Sequence, residues 1–230
     1  AGVRRSQEAG GIKPAEVQAM LHDLRDREMI LQREESGFAG TTEYVFRHAI
    51  LRDVTYETVV PRQRRMLHKL VGDWLLEVGG ERAGEHTLLV AVHYGRAEES
   101  ALAATQLRMA GERARHLAAY EEAATRFQRA REILTGPNDA AQRVEVDLLR
   151  ADLEVSRSSY AKAIELLKPA LEEARAIGHE LLQANVLGRL GRIAMWQRED
   201  EIRDRYLEEA VAIARKANHK PTMMFVFRQL

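Results

Sequence analysis

The feature that most limits how this chain can fold is an internal repeat with a period of 40 residues. When the sequence is aligned on itself at that shift, residues 120–130 lie over residues 160–170, small over small and large over large. Self-similarity at a fixed period of about 20 to 50 residues is the signature of stacked structural repeats. The positions that keep the period are Ala123 with Ala163, Phe127 with Leu167, Ala130 with Ala170 and Ala210, and the small-residue series Gly111, Ala151 and Gly191.

Each unit of this repeat is predicted to be a pair of helices, here named helix A and helix B in chain order. A glycine or alanine in helix A lets helix B approach closely, and the bulky residue between two alanines of helix B fills the space. Residues 135–138 (Thr-Gly-Pro-Asn) predict a turn between units, and Gly178 and Asn218 stand where helices should end. The alternative is a generic helical bundle, since repetition alone does not define a superhelix.

The pattern resembles the tetratricopeptide repeat, whose helix A carries a small residue and whose helix B carries an alanine, a bulky residue and a second alanine. The resemblance covers residues 99–230, with a fourth repeat begun at residues 221–230 and cut short. It implies an α-α superhelix with a partner-binding groove. Two departures are the period of 40 residues in place of about 34, which implies longer helices or loops, and Arg203 at the first alanine position of the third unit.

The N-terminal third follows a different pattern. Pro14 suits the first turn of a helix, and a glycine-containing loop between two short strands follows that helix. A helix followed by a hairpin predicts a winged-helix-like unit over residues 10–60, with connecting helices over residues 61–98. The predicted elements are a helix over residues 14–29, strands at 30–31 and 43–46, a helix from Ile50 to Val59 and another that begins at Pro61.

Three segments carry a second resemblance. The run from Tyr44 to Tyr56, the Arg-Arg-Met-Leu-His of residues 64–68 and the Val-His-Tyr of residues 92–94 resemble the regulatory region of signal-transduction ATPases with numerous domains, or STAND ATPases. Such proteins are often fused to adenylate cyclase or transcription-regulator domains. The resemblance implies that a P-loop ATPase precedes a winged helix and that the repeats sense a partner. Because residues 79–84 lack the lysine of a P-loop, any ATPase would lie outside this chain.

Composition excludes several classes of function. Lys plus Arg equal Asp plus Glu at 35 each, so the chain has no net charge to attract nucleic acid or an anionic membrane. With no cysteine there is no disulfide, thiolate nucleophile or cysteine-ligated zinc, which suits the cytoplasm. The longest apolar stretches, such as residues 88–92, are shorter than the roughly 18 to 20 residues of a membrane span. We therefore expect a cytoplasmic fragment of a longer protein.

Neither a metal site nor a catalytic site is predicted. His86 and His93 are the nearest histidine pair of interest, and no third ligand accompanies them at metal-binding spacing. The paired glutamates of helix B recur with the repeat and are interpreted as solvated surface. Ser156, Ser158 and Ser159 are expected to cap the next helix. We expect no enzyme activity and no cofactor. The histidines predicted to be half-buried packing residues are His48, His68 and His93.

A DNA-binding alternative arises from the predicted winged helix, because its segments carry many basic residues. Acidic residues stand beside those bases in similar number, which would repel phosphate, so an architectural role is favoured. A transcription-regulator fragment that binds DNA remains the alternative. The basic residues are Arg25, Arg27, Arg33, Arg62, Arg64, Arg65 and Lys69, and the acidic ones are Asp23, Asp26, Glu28, Glu34 and Glu35.

The repeats are predicted to bind a protein or peptide through helix A, in a register set by the small-residue series. The alternative is that these positions are ordinary solvated helix surface. The predicted function is a non-catalytic regulatory module that senses a partner and relays its binding to a neighbouring ATPase or output domain. The predicted partner-binding residues are Arg108, Glu112, Arg115, Asp152, Asn185, Arg192 and Trp196.

Overall fold

The computed structural model describes residues 13–38, 40–79 and 86–216, which form ten α-helices and one two-stranded sheet. The predicted mainly α fold class is confirmed. The chain divides into two compact units, Ala1–Gln106 and Leu107–Leu230. This division falls inside a helix, whereas the predicted start of the repeats at residue 99 falls in the turn before that helix.

The described elements of the first unit are α1 (Pro14–Asp26), β1 (Ile30–Gln32), β2 (Tyr44–Phe46), α2 (Ala49–Thr58), α3 (Pro61–Gly79) and α4 (Thr87–Arg96). Helix α5 (Ser100–His116) contains the division between the units. The second unit continues with α6 (Tyr120–Ile133), a 3₁₀ turn (Pro137–Asp139), α7 (Ala140–Ser156), α8 (Tyr160–Ala176), α9 (Glu180–Gln197) and α10 (Asp200–Lys216).

The region between residues 13 and 60 is an open arrangement of α1, a β-hairpin and α2. The strands pair antiparallel, with Ile30 opposite Phe46, and Ile30 is buried. Neither α1 nor α2 contains a buried residue, and a cavity of about 270 Å³ lies between these helices and the hairpin. Apolar side chains such as Ile50 and Val54 are mostly exposed, at 75% and 57%. This segment therefore lacks a closed core of its own.

Helices α3 and α4 pack together through a glycine. A Cβ atom at Gly72 would lie 2.8 Å from Cε1 of Tyr94, which shows how closely the tyrosine ring approaches the α3 backbone. The Tyr94 hydroxyl on α4 donates a hydrogen bond of 2.9 Å to Asp73 on α3. The predicted connecting helices thus contain a close pair built on the same principle as the repeats.

Helix pairs in the second unit use the small-residue series in the way that the repeat predicts. A Cβ atom at Gly111 would lie 2.5 Å from Cε1 of Phe127, and one at Gly191 would lie 2.6 Å from Cδ2 of Leu207. Phe127, Leu207 and the equivalent Leu167 have no exposed surface. The predicted contact between a small residue of helix A and a bulky residue of helix B is therefore present.

Arg203, at the position where the repeat calls for alanine, keeps its charge outside the core. Its guanidinium bonds to Asp200 and Asp204 on the same helix, and its side chain is 29% exposed. Its backbone approaches Gly191, since the Arg203 carbonyl oxygen would lie 3.6 Å from a Cβ atom there. The long side chain therefore replaces alanine without placing a charge between the helices.

The turns between helices A and B repeat in their backbone conformation as well. Ala118, Ser158 and Arg198, spaced by 40 residues, each adopt a left-handed conformation with φ of 57°, 59° and 61°. Gly178, predicted to end a helix, follows α8 with φ of 66°. The predicted capping by serine is wrong, because Ser159 makes no side-chain capping bond at the start of α8. Asn218 and residues 221–230 lie outside the described residues.

Candidate functional site

All seven predicted partner-binding residues lie on the first helices of the pairs, α5, α7 and α9, and each is partly or largely exposed. We call the surface that they form the helix-A face. Its members are Arg108, Glu112 and Arg115 on α5, Asp152 on α7, and Asn185, Arg192 and Trp196 on α9.

The first contact on the helix-A face joins α5 to α7. Nη1 of Arg108 donates to Oε2 of Glu145 at 2.6 Å. The two side chains are 33% and 41% exposed, so water screens the pair. An ion pair of this kind stabilises a fold by about 0 to 1 kcal/mol, and it orients the two helices more than it strengthens their packing.

The second contact joins α7 to α9 and is better enclosed. Asp152 accepts hydrogen bonds from Nε and Nη2 of Arg189 at 2.9–3.1 Å and from Nη2 of Arg192 at 2.9 Å. The three side chains are between 16% and 23% exposed. The carboxylate thus binds the Arg189 guanidinium through two of its nitrogens, in a fork geometry that fixes its orientation, and the Arg192 guanidinium through one.

An aromatic cluster lies beside this carboxylate. The Arg192 guanidinium stands 5.3 Å from the centre of the Trp196 ring, and the Tyr160 ring lies 5.5 Å from the same indole. Trp196 nevertheless remains 43% exposed. Arg192 therefore connects Asp152 to an indole whose position is set on the protein side and whose surface is open to a partner.

Three residues of the helix-A face stand apart from these contacts. Asn185 donates from Nδ2 to the Leu181 carbonyl on its own helix, at 3.0 Å. Within the described residues, the side chains of Glu112 and Arg115 have no hydrogen-bond or ion-pair partner, and both residues are partly exposed. The Nε atoms of Arg115 and Arg192 are shielded from solvent without a hydrogen-bond acceptor. The structure thus brings together Asp152, Arg192 and Trp196 and leaves the other members separate.

Sequence reasoning missed Glu145, Arg189 and Tyr160, which complete the contacts of the helix-A face. A usable signal for the first two was the spacing of opposite charges, because Arg108 to Glu145 and Asp152 to Arg189 are both separations of 37 residues. That separation is one repeat less about one helical turn. No comparable signal marked Tyr160, which reaches Trp196 from the start of helix B.

The three highlighted histidines differ in their surroundings. His68 is buried and contacts His93, as expected of packing residues, whereas His48 is exposed at the start of α2, so the half-buried prediction is wrong for it. Across residues 13–38, 40–79 and 86–216, no three His, Cys, Asp or Glu side chains cluster in a way that could hold a metal ion. In that same part of the chain, no helix has the length and apolar character that crossing a membrane requires.

The basic residues that suggested DNA binding are largely engaged with acids. Ion pairs join Arg27 to Asp23 and Arg64 to Glu57, and others of the same kind follow. Five of the seven basic residues are thus paired with an acid, which leaves little free positive charge between residues 25 and 69 to meet a phosphate backbone. The remaining pairs of the set are Arg33 with Glu43, Arg65 with Glu98 and Lys69 with Asp73.

Comparison with known proteins yields a likeness of fold. No protein-family model matches the chain, and no curated protein does. Among solved structures, the crystal structure of the apo form of RapI matches with a TM-score of 0.56 and 16% identity, over 77% of this chain. The chain spans about half of that protein, 52% of its length. This likeness supports an all-helical, repeat-like fold.

Proposed function

We propose that this chain is a non-catalytic interaction and regulatory module that binds a protein or peptide on the helix-A face. The observation that carries the proposal is the junction of Asp152, Arg192 and Trp196, where an ion pair between helices leads directly to an exposed indole. Helical repeats place such residues on rigid elements, and their stacked helices present an extended surface to a partner.

The chemistry of this junction suits an anchor for binding. Trp, Tyr and Arg are the residues that most often dominate interface energetics. The Arg192 and Tyr160 contacts hold the Trp196 ring in place, so a partner would not need to order it on binding. Arg108 and Arg115 add positive charge along the same face, and Glu112 and Glu145 add negative charge, which favours a partner of mixed charge with one aromatic or aliphatic anchor.

The proposal places this module in the cytoplasm, beside an ATPase or other output domain of the STAND class. Its support is the resemblance of the Tyr44–Tyr56 segment to the regulatory region of those proteins, together with the helix, hairpin and helix at residues 14–58, which we interpret as winged-helix-like. A partner that contacts two conformations of the repeats unequally would shift their populations and so change the neighbouring domain. A gene whose upstream coding sequence lacks a P-loop motif would contradict this context.

Selection from a random displayed peptide library against the purified chain tests the helix-A face with a defined probe. We expect Trp196→Ala to weaken selected peptides by at least about tenfold, because an anchor of this kind contributes about 1.4 kcal/mol or more. The triple charge reversal of Arg108, Arg115 and Arg192 to Glu should remove binding.

The matched control reverses two exposed lysines of helix B, Lys162 and Lys168, and should leave affinity unchanged. Peptides that bind the Trp196→Ala and arginine-reversed variants as tightly as the unmodified chain would exclude the helix-A face. Duplex DNA serves as a second probe, because a DNA-binding regulator would bind it with an affinity that falls steeply as salt rises.

A further inference from the structure

A row of three hydrogen-bonded side chains crosses three helices of the first unit. The Tyr56 hydroxyl on α2 lies 3.0 Å from Nε2 of His68 on α3, and Nδ1 of His68 lies 3.0 Å from Nδ1 of His93 on α4. The ring centres are 5.9 Å apart in the first contact and 5.1 Å in the second. His68, the middle member, is buried with 9% of its surface exposed.

This row of side chains is important because few other contacts hold α2 in place. Helix α2 contains no buried residue, so burial of apolar surface contributes little to its position. Near its C-terminal end, Arg64 of α3 lies over the Tyr56 ring at 5.0 Å and pairs with Glu57 at 3.2 Å. The attachment of α2 to α3 and α4 therefore depends strongly on polar contacts around Tyr56.

The hydrogen bond between two Nδ1 atoms limits how many protons the histidines can carry. It forms when one Nδ1 bears a hydrogen and the other offers a lone pair. With both rings neutral, His68 can donate from Nδ1 to His93 while its Nε2 accepts from the Tyr56 hydroxyl. One added proton is still compatible with a bond between the rings. Two added protons place hydrogens on both Nδ1 atoms, so the bond is lost and two cations face each other.

The surroundings add to this limit. Burial, and then the positive charge of Arg96, lower the pKa of His68 below its usual value. Burial is also the largest cause that lowers the pKa of His93, followed by the charge of His68 and then that of Arg96. Most of the other charged groups on the three helices form pairs that offset one another, namely Arg52 with Asp53, Arg64 with Glu57, Lys69 with Asp73, and Arg65 with Glu98 just beyond α4. Arg62 and Glu77 are also charged groups of α3.

The sign of the pH effect follows from these directions. We call the arrangement in which Tyr56, His68 and His93 are hydrogen-bonded the closed state. A histidine whose pKa is lower in the closed state than in solution stabilises the closed state fully above about pH 6.5, its solution value. This contribution is lost as the pH falls through the pKa of the closed state, because the released imidazoles take up protons more readily.

We propose that Tyr56, His68 and His93 form a pH-sensitive latch that holds α2 against the α3–α4 pair near neutral pH and releases it on mild acidification. Release frees α2 and the hairpin that precedes it, while Gly72 and Tyr94 still hold α3 to α4. A fall in pH would therefore separate α1, the hairpin and α2 from the α3–α4 pair. The latch is independent of the proposed peptide binding.

Amide hydrogen exchange measured at pH 7.5 and pH 5.5, and corrected for the intrinsic pH dependence of exchange, tests the latch. We expect protection of residues 49–58 to fall by at least about threefold at pH 5.5, while that of α9 in the second unit stays constant. His93→Gln should reduce this pH dependence to the part that His68 alone contributes, because a glutamine amide can accept from His68 in either protonation state of the latter and carries no second charge. His116→Gln changes an exposed histidine and should behave like the unmodified chain.

Tyr56→Phe provides a second arm that keeps the ring and removes the hydroxyl. It should lower protection of residues 49–58 already at pH 7.5, to the level that the unmodified chain shows at pH 5.5. Long-range nitrogen NMR of the imidazoles follows the proton sites directly. The latch is excluded if His93→Gln retains the original pH dependence, or if His68 and His93 titrate independently near pH 6.5.

Discussion

At Asp152, a single carboxylate accepts hydrogen bonds from two arginines of the neighbouring helix. Removing it takes an acceptor away from the partly enclosed guanidinium groups of Arg189 and Arg192, whereas removing an exposed ion-pair partner leaves a group that water can satisfy. The energetic importance of a charge on the helix-A face therefore follows its enclosure more than its presence in a pair.

Asp152→Ala is expected to lower the free energy of unfolding by about 1 to 2 kcal/mol, because two guanidinium groups lose their acceptor. Urea unfolding monitored by circular dichroism measures the change, provided that the slope with denaturant stays constant. Glu145→Ala is the matched control, since its exposed pair with Arg108 should be worth less than about 1 kcal/mol. Equal effects of the two substitutions would contradict this distinction.

Gly111→Ala is expected to destabilise the chain by about 1 to 3 kcal/mol, because its new methyl group would lie 2.5 Å from the Phe127 ring in a filled contact. Gly95→Ala is the control in another helix, where no atom lies within 4 Å of the added carbon. There the better helix propensity of alanine should make the change neutral or stabilising by up to about 1 kcal/mol. Thermal and urea unfolding of both variants would reveal the contrast.

On the scale of secondary-structure elements, the turns between helices A and B carry backbone strain at repeated positions. Ala118, Ser158 and Arg198 all have positive φ, a conformation in which the Cβ atom of an L-residue crowds the following carbonyl. Among the described turns of the repeats, the turn after helix α8 uses a glycine, Gly178, for this purpose. The longer period of this repeat thus preserves the close helix pair without glycine in the turns between A and B.

Ser158→Gly should therefore raise the free energy of unfolding by about 0.5 to 1 kcal/mol, because glycine adopts positive φ without the steric penalty. Ser156→Gly, two residues earlier at the last residue of α7, is the control. It should destabilise by about 0.5 kcal/mol, because glycine is a poor helix former and the bond from Ser156 Oγ to the Asp152 carbonyl is lost. The urea concentration at the midpoint of unfolding measures both changes: we expect it to rise for Ser158→Gly and to fall for Ser156→Gly. Two destabilising changes would show that the Ser158 backbone is unstrained.

For the molecule as a whole, its two units are each stabilised differently. In the second unit, α7 to α10 share a hydrophobic core, whereas α1 and α2 of the first unit contain no buried residue. Polar contacts such as those of Tyr56 therefore weigh more in the first unit, which is why a change of protonation can act there. In the second unit the same change would compete with buried apolar contacts.

Charge also alternates along the first helices of the pairs. Helix α5 carries three arginines and one acid, α7 two arginines and four acids, and α9 two arginines and one acid. Neighbouring helices of opposite net charge attract, and like-charged ones would not. This alternation accounts for Arg108 meeting Glu145 and for Asp152 meeting Arg189, and it favours one order of stacking.

The sequence by itself determined the helix pairs of the second unit, because their contacts depend on side-chain size at fixed helical spacing. The contacts of Gly111 with Phe127 and of Gly191 with Leu207 follow from the 40-residue period of the sequence. The short hairpin was equally readable, since its strands and loop are local in sequence. The placement of the seven helix-A residues on α5, α7 and α9 required only the same register.

Tertiary structure alone decided which of these side chains meet. Neighbouring first helices join residues 37 apart, as in Arg108 with Glu145 and Asp152 with Arg189, but Asp152 also binds Arg192, 40 residues away. No helical period specifies which of these separations brings two side chains together. The same holds for Tyr160 beside Trp196 and for Tyr56, His68 and His93, which stand on three different helices. Local spacing predicts the face of a helix, whereas the rotation and translation of packed helices determine which faces and side chains touch.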